Sequence, residues 1–155
     1  MRRTLFAVLA FLILLPVAAQ AQERSAEVQA LDSWIGEWTY VLGDSNGTME
    51  FELFGDLMKG SEVTGGGNDV VHMAGYDAEE GVYRWRRYYS SGYTDAAEGW
   101  IHGNTWTWLF VEPVGRIRRM TMVFESEDSI TFRWERSVEG GAWEVTGEGR
   151  STRVR

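Results

Sequence analysis

The 155-residue chain has no cysteine, so no disulfide helps it fold and no acylated cysteine can tether it as a lipoprotein. It has two histidines, His72 and His102, and neither stands in a cluster of His, Asp or Glu at metal-ligand spacing. A metal centre needs three or four such ligands, so none is expected. No Gly-x-Ser-x-Gly nucleophile motif occurs, and Gly65-Gly66-Gly67 lacks the Lys-Ser/Thr of a phosphate loop. Internal repeats, linkers and low-complexity segments are missing too, as is any helical pattern long enough to cross between parallel strands. Positive charge is in deficit: the formal net charge is −8, which argues against nucleic acid or an anionic membrane surface as the partner.

What is present begins with an export signal. Arg2 and Arg3 precede an apolar run over residues 5–15, Pro16 breaks it, and Ala19-Gln20-Ala21 supplies small residues at a peptidase site. The run falls short of the roughly 20 residues a spanning helix needs. The expectation is a signal peptide over residues 1–21 and a single domain over 22–155, periplasmic or secreted. Loss of Arg2 and Arg3 takes the mature charge from −8 to −10. Without disulfides, a closed apolar core must hold that domain, and eight tryptophans, six tyrosines and the five phenylalanines that remain once Phe6 and Phe11 leave with the signal are material for one.

Val28, Leu31, Trp34 and Ile35 fall at helical spacing, predicting two or three turns of helix that end at Gly36. After Gly36 the period becomes two. Trp38, Tyr40 and Leu42 share a face of strand one, and Met49, Phe51 and Leu53 a face of strand two. Between them Gly43-Asp44-Ser45-Asn46-Gly47 reads as a turn. Strands three and four are expected over 57–64 and 69–76, and strands five and six over 82–89 and 93–101. Strands seven to nine carry Trp106, Trp108 and Phe110, then Met120, Met122 and Phe124, then Ile130, Phe132 and Trp134. Strand ten is expected over 142–154, with Trp143 and Val145 on one side.

Ten short strands joined by hairpin-type turns make an all-β protein with an antiparallel sheet. Neighbours in sequence pair in space, and closure removes the exposed edges. The prediction is a closed up-and-down β-barrel of about ten strands with a short N-terminal helix. Each buried aromatic contributes roughly 4–6 kcal/mol as an upper bound, so the aromatic faces should point inward. A transmembrane barrel would need an apolar outer band. Arg84, Arg86 and Arg119 on the prospective outer face, and the charges of the last strand, argue against it.

Gly36-Glu37-Trp38 at the head of strand one resembles the Gly-x-Trp signature of the calycin superfamily, which includes lipocalins, avidins, fatty-acid-binding proteins and nitrobindins. With Leu31 and Ile35, then Gly75-Tyr76-Asp77, Ser90-Ser91-Gly92 and Gly147-Glu148-Gly149-Arg150, the chain is similar to an uncharacterised bacterial family of small calycin-like β-barrels, of which it would be an exported member. The resemblance implies structural roles for Gly36 and Trp38, and an arginine of the last strand, Arg150 or Arg153, stacked on Trp38. Nitrobindins ligate haem through a histidine near the chain end. No histidine follows His102, so no haem, and no other cofactor, is expected.

The inward faces supply the candidate ligand-binding residues. They are Tyr83, Trp85, Arg87 and Tyr89 on strand five, Trp106 and Trp108 on strand seven, Met122 and Phe124 on strand eight, and Phe132 and Trp134 on strand nine. An inward Arg87 needs a carboxylate, because an unpaired buried charge costs several kcal/mol. Glu62, Glu52 or a ligand would supply it, and fatty-acid-binding barrels use inward arginines in the last way. His72 reads as a satisfied wall histidine and His102 as a turn residue. The expected function is binding of a small hydrophobic or anionic amphipathic molecule in an aromatic interior. The alternatives are a barrel enzyme acting on a lipid-like substrate, or a filled barrel that serves as a structural or interaction protein of the envelope.

Overall fold

A computed structural model describes residues 23–112 and 115–155. The expected signal peptide lies outside the described residues. Helix α1, Ala26–Ala30, is capped by Ser25, whose hydroxyl accepts from the Val28 amide at 3.3 Å. It passes into a 3₁₀ turn over Leu31–Trp34 that buries Leu31 and Trp34. The two together are the predicted helix.

Ten strands follow. They are β1 Gly36–Leu42, β2 Ser45–Phe54, β3 Leu57–Thr64, β4 Val70–Asp77, β5 Val82–Tyr89, β6 Thr94–His102, β7 Thr105–Val111, β8 Arg116–Ser126, β9 Ser129–Val138 and β10 Glu144–Arg153. Each pairs antiparallel with its neighbours in sequence, and β10 returns to β1, so the barrel is closed and up-and-down as predicted. The first hairpin is tighter than expected. Ser45, Asn46 and Gly47 belong to β2 and pair with Leu42, Val41 and Tyr40.

The inner and outer walls fix the register by different means. On the outer wall, oppositely charged residues stand directly across from each other. Lys59 meets Glu52 at 3.0 Å, Arg84 meets Glu98 at 2.9 Å, Arg119 meets Glu135 at 2.8 Å and Arg133 meets Glu148 at 2.9 Å. The pairs are exposed except at Glu135, which is buried; each exposed pair is worth little, but a one-residue slip would break them all. On the inner wall, rings lie over glycines of the adjacent strand: Tyr40 over Gly47, Phe51 over Gly60, Trp108 over Gly99 and Phe132 over Gly149. The missing side chain is the seat of the ring.

One end of the barrel is plugged. The Trp34 ring enters it and packs against Phe51 at 5.1 Å, Phe124 at 5.7 Å, Trp85 at 6.2 Å and Trp106 at 6.2 Å between centroids. Tyr83 donates its hydroxyl to the Glu27 carbonyl at 3.0 Å, tying α1 to β5. Trp38 donates its indole N–H to the Trp34 carbonyl at 2.7 Å.

The resemblance's stacked arginine is Arg153, not Arg150. The Arg153 guanidinium lies 4.2 Å from the Trp38 ring and donates to the carbonyls of Ile35 and, at 2.9 Å, Ser33. Arg150 is exposed, because it stands at an odd offset from Arg153 and so faces the other side of β10. Gly36 adopts φ +122°, and a Cβ there would meet Arg153 Nη1 at 2.7 Å. Any other residue would be both strained and in the way. Trp143 also departs from expectation. It precedes β10 and lies outside the barrel, its ring 4.3 Å from the Arg119 guanidinium, and Val145 beside a bulge is exposed.

Gly60→Ala should destabilise the protein by about 1–3 kcal/mol, the usual cost of overpacking. The new methyl would press on the Phe51 ring and on the Glu50 carbonyl at 2.9 Å, which is backbone and cannot swing away. Urea denaturation followed by tryptophan fluorescence measures it.

Candidate ligand-binding site

Above the Trp34 plug the barrel is not filled. A cavity of about 780 Å³ opens at the far end, between the β1–β2 turn at Asp44 and the β3–β4 turn at Gly65. Five of the ten predicted residues line it: Trp85, Arg87, Met122, Phe132 and Trp134. Tyr83, Trp106, Trp108 and Phe124 are packed around or beneath the plug instead, and Tyr89 stands toward the rim beside Tyr93, their rings 5.3 Å apart. The shear of a barrel explains the division: residues that share a face of their strands still fall at different heights.

Two polar clusters interrupt the aromatic wall. In the first, Arg87 is 7% exposed and forms a two-pronged pair with Asp95, directly opposite on β6, at 2.8 and 2.6 Å. The Asp95 carboxylate also takes Arg118 Nη2 at 3.0 Å, and Arg118 pairs in turn with Glu112. The guanidinium of Arg87 lies 4.5 Å from the Phe110 ring and 5.4 Å from the Trp134 ring. The partner of Arg87 is therefore Asp95, and neither Glu62 nor Glu52 fills that place. Burial pushes the nearby Tyr89 hydroxyl up to about 12.

In the second cluster, Tyr40 donates its hydroxyl to Glu62 Oε1 at 2.7 Å, while Glu62 Oε2 lies 3.2 Å from His72 Nε2. His72 is 1% exposed, and its Nδ1 is 3.2 Å from Trp85 Nε1. An indole nitrogen only donates, so Nδ1 is the bare nitrogen and Nε2 carries the hydrogen that goes to Glu62. Both ring nitrogens are committed, which is the satisfied wall histidine the sequence predicts. Burial holds the His72 pKa below its ordinary 6.5, against the pull of Glu62. For Glu62, burial works to raise the pKa, but the hydrogen bonds from His72 and Tyr40 outweigh it and leave the carboxyl below its ordinary 4.5. A neutral imidazole thus faces an ionised carboxylate.

Sequence reasoning did not single out Trp34, Tyr40, Asp95 or Arg118 as site residues, and it named Glu62 only as a partner for Arg87. Period two in fact puts Arg118 on the face of Met120, and Asp95 on that of Ala97. His102, the other histidine, is exposed at the end of β6. Among the described residues no group of three or more His, Asp or Glu is placed to hold a metal ion.

No family model matches the chain, and no curated protein sequence does. Among the solved structures similar to it are two at 12% identity. The S-type phycobiliprotein lyase CPES from Guillardia theta covers 82% of this chain and 90% of its own, with a TM-score of 0.49. The protein EF1p2_mFAP2b, bound to DFHBI, covers 83% and 100%, with a TM-score of 0.43. Likenesses this distant bring neither ligand nor activity with them.

Removing the Asp95 carboxylate strands the buried Arg87 guanidinium and leaves Arg118 to Glu112 alone. Asp95→Ala should cost about 3–5 kcal/mol, read from denaturant midpoints. A pH series tests the other cluster. Between the lowered His72 pKa and 6.5, the unfolded chain takes up a proton that the folded chain refuses. Stability should therefore fall as pH drops below 6.5, by no more than one proton's worth, about 1.4 kcal/mol per pH unit. Glu62 adds a second loss as pH falls through 4.5 toward its own lowered value. In His72→Gln the first of these slopes should vanish from the plot of unfolding free energy against pH.

Proposed function

We propose that the protein is an exported β-barrel that binds a small hydrophobic or amphipathic molecule in its aromatic interior. The observation that carries this reading is the open cavity of about 780 Å³, walled by Trp85, Phe132, Trp134 and the methionines Met49, Met120 and Met122. Its size falls within the range of small-molecule sites, which are mostly apolar with a few placed polar groups. Thioethers adapt to ligands of irregular shape. The same volume favours binding over the reading in which tryptophan fills the barrel and nothing enters. The charged start, apolar run and small-residue end of residues 1–21 support delivery across a membrane, hence a periplasmic or secreted site of action. Among the described residues no helix is long and apolar enough to cross a membrane.

Purified mature protein should bind the uncharged dye Nile red saturably and one to one, with a rise in emission. Met122→Trp, which places an indole in the cavity, should weaken that binding by about tenfold or more. Absence of saturable binding, or a Met122→Trp protein that binds as before, would sink the proposal.

A further inference from the structure

The cavity's charges are not balanced in the way an anion-binding barrel requires. Arg87 is already neutralised by Asp95, and Arg118 is shared between Asp95 and Glu112. Glu62 lines the cavity with no cation at ion-pairing distance among the described residues, only the neutral His72. Each Glu62 oxygen accepts one hydrogen bond, from Tyr40 and His72. A carboxylate offers about four acceptor positions, so two stay open. The cavity is lined by the carboxylates of Glu62 and Asp44 and by the guanidiniums of Arg87 and Arg118, and both guanidiniums are already paired with carboxylates outside that lining, Asp95 and Glu112. A second observation also points to a missing partner. Ser151 Oγ, which can accept a hydrogen bond, is buried, belongs to a cavity-lining residue and has no hydrogen-bond partner, a state that buried polar groups rarely tolerate.

We propose that Glu62, held by Tyr40 and His72, is the polar anchor of the cavity and selects a ligand that presents a protonated amine or another N–H donor on an aromatic or polycyclic body. This deepens the binding reading and rests on it. It also reverses the sign expected from Arg87: the preferred amphipath is a donor or cation, not an anion. Aromatic rings attract cations, and Trp85 and Trp134 line the same cavity. The tautomer of His72 is part of the device. Because Trp85 occupies Nδ1, the imidazole cannot take a second proton and become the counter-charge of Glu62 without losing that bond.

The test uses three probes with one apolar body: naphthylmethylammonium, naphthylmethanol and naphthoate, titrated calorimetrically at neutral pH into the mature protein. The ammonium should bind about ten- to a hundredfold more tightly than naphthoate, the range that a charge-assisted hydrogen bond supplies. In Glu62→Gln that advantage should disappear while the alcohol's affinity stays within a few-fold. Tyr40→Phe, which keeps the carboxylate, should retain the preference. Near-ultraviolet circular dichroism reports whether each variant folds, and if Glu62→Gln does not, the wild-type series and Tyr40→Phe still decide the matter. Equal binding of the three probes, a preference for naphthoate, or an unchanged preference in folded Glu62→Gln would overturn the anchor while leaving a binding cavity. Binding of none of them, together with no Nile red binding, would overturn the cavity reading and the anchor with it.

Discussion

A guanidinium laid flat on an indole closes this barrel. Arg153 and Trp38 stand directly opposite each other where the last strand meets the first. From that position Arg153 also reaches the Ser33 and Ile35 carbonyls at the end of the 3₁₀ turn, which have no further helix to satisfy them. One side chain therefore joins three things that must agree: the strand closure, the exit of the helix and the seating of Trp38. The chain between them can make the bend only because Gly36 brings no Cβ into the space that Arg153 occupies. With the helix held there, Trp34 is carried into the barrel, and its ring decides where solid core stops and cavity begins.

Above that level the wall is built to stay open. Tyr40 and Phe132, seated on Gly47 and Gly149, line the cavity there. The polar groups are then satisfied laterally, within the wall: Arg87 by Asp95 and Glu62 by His72 on adjacent strands, and Glu62 also by Tyr40 two strands away. Buried charge is tolerable only with such pairing. The pairing leaves the Arg87–Asp95 pair close to neutral and the Glu62 group negative, which is why the inner surface is electrically uneven.

Much of the fold was legible in the sequence. The alternation Trp106, Trp108, Phe110 against Thr105, Thr107, Leu109 admits one reading, and hairpin-length turns leave few topologies besides closure. The closing arginine was legible only as a choice between two residues, since nothing local to β10 says which stands opposite Trp38; that depends on where the barrel seam falls. The site was legible by half. Period two says which side of a strand faces in, but not at what height, so Trp106 and Trp108 could not be told apart from Trp85 and Trp134. The polar members were harder still. Asp95 looks like an ordinary surface carboxylate in its own strand, and its burial is visible only when Arg87 is placed across from it. Glu62 was legible only as a partner for Arg87, because its bonds to Tyr40 and His72 run diagonally between strands.

The rings over glycines have a consequence for how such a chain can drift. At Gly99 the bare backbone is the complement of the Trp108 ring, whereas at Gly47, Gly60 and Gly149 a backbone carbonyl crowds the position as well. A larger residue at Gly99 is admissible only if the facing ring shrinks in the same step, and at the other three no change of ring makes room. An alignment of true relatives should show the columns of Gly99 and Trp108 changing together, and glycine kept at the rest.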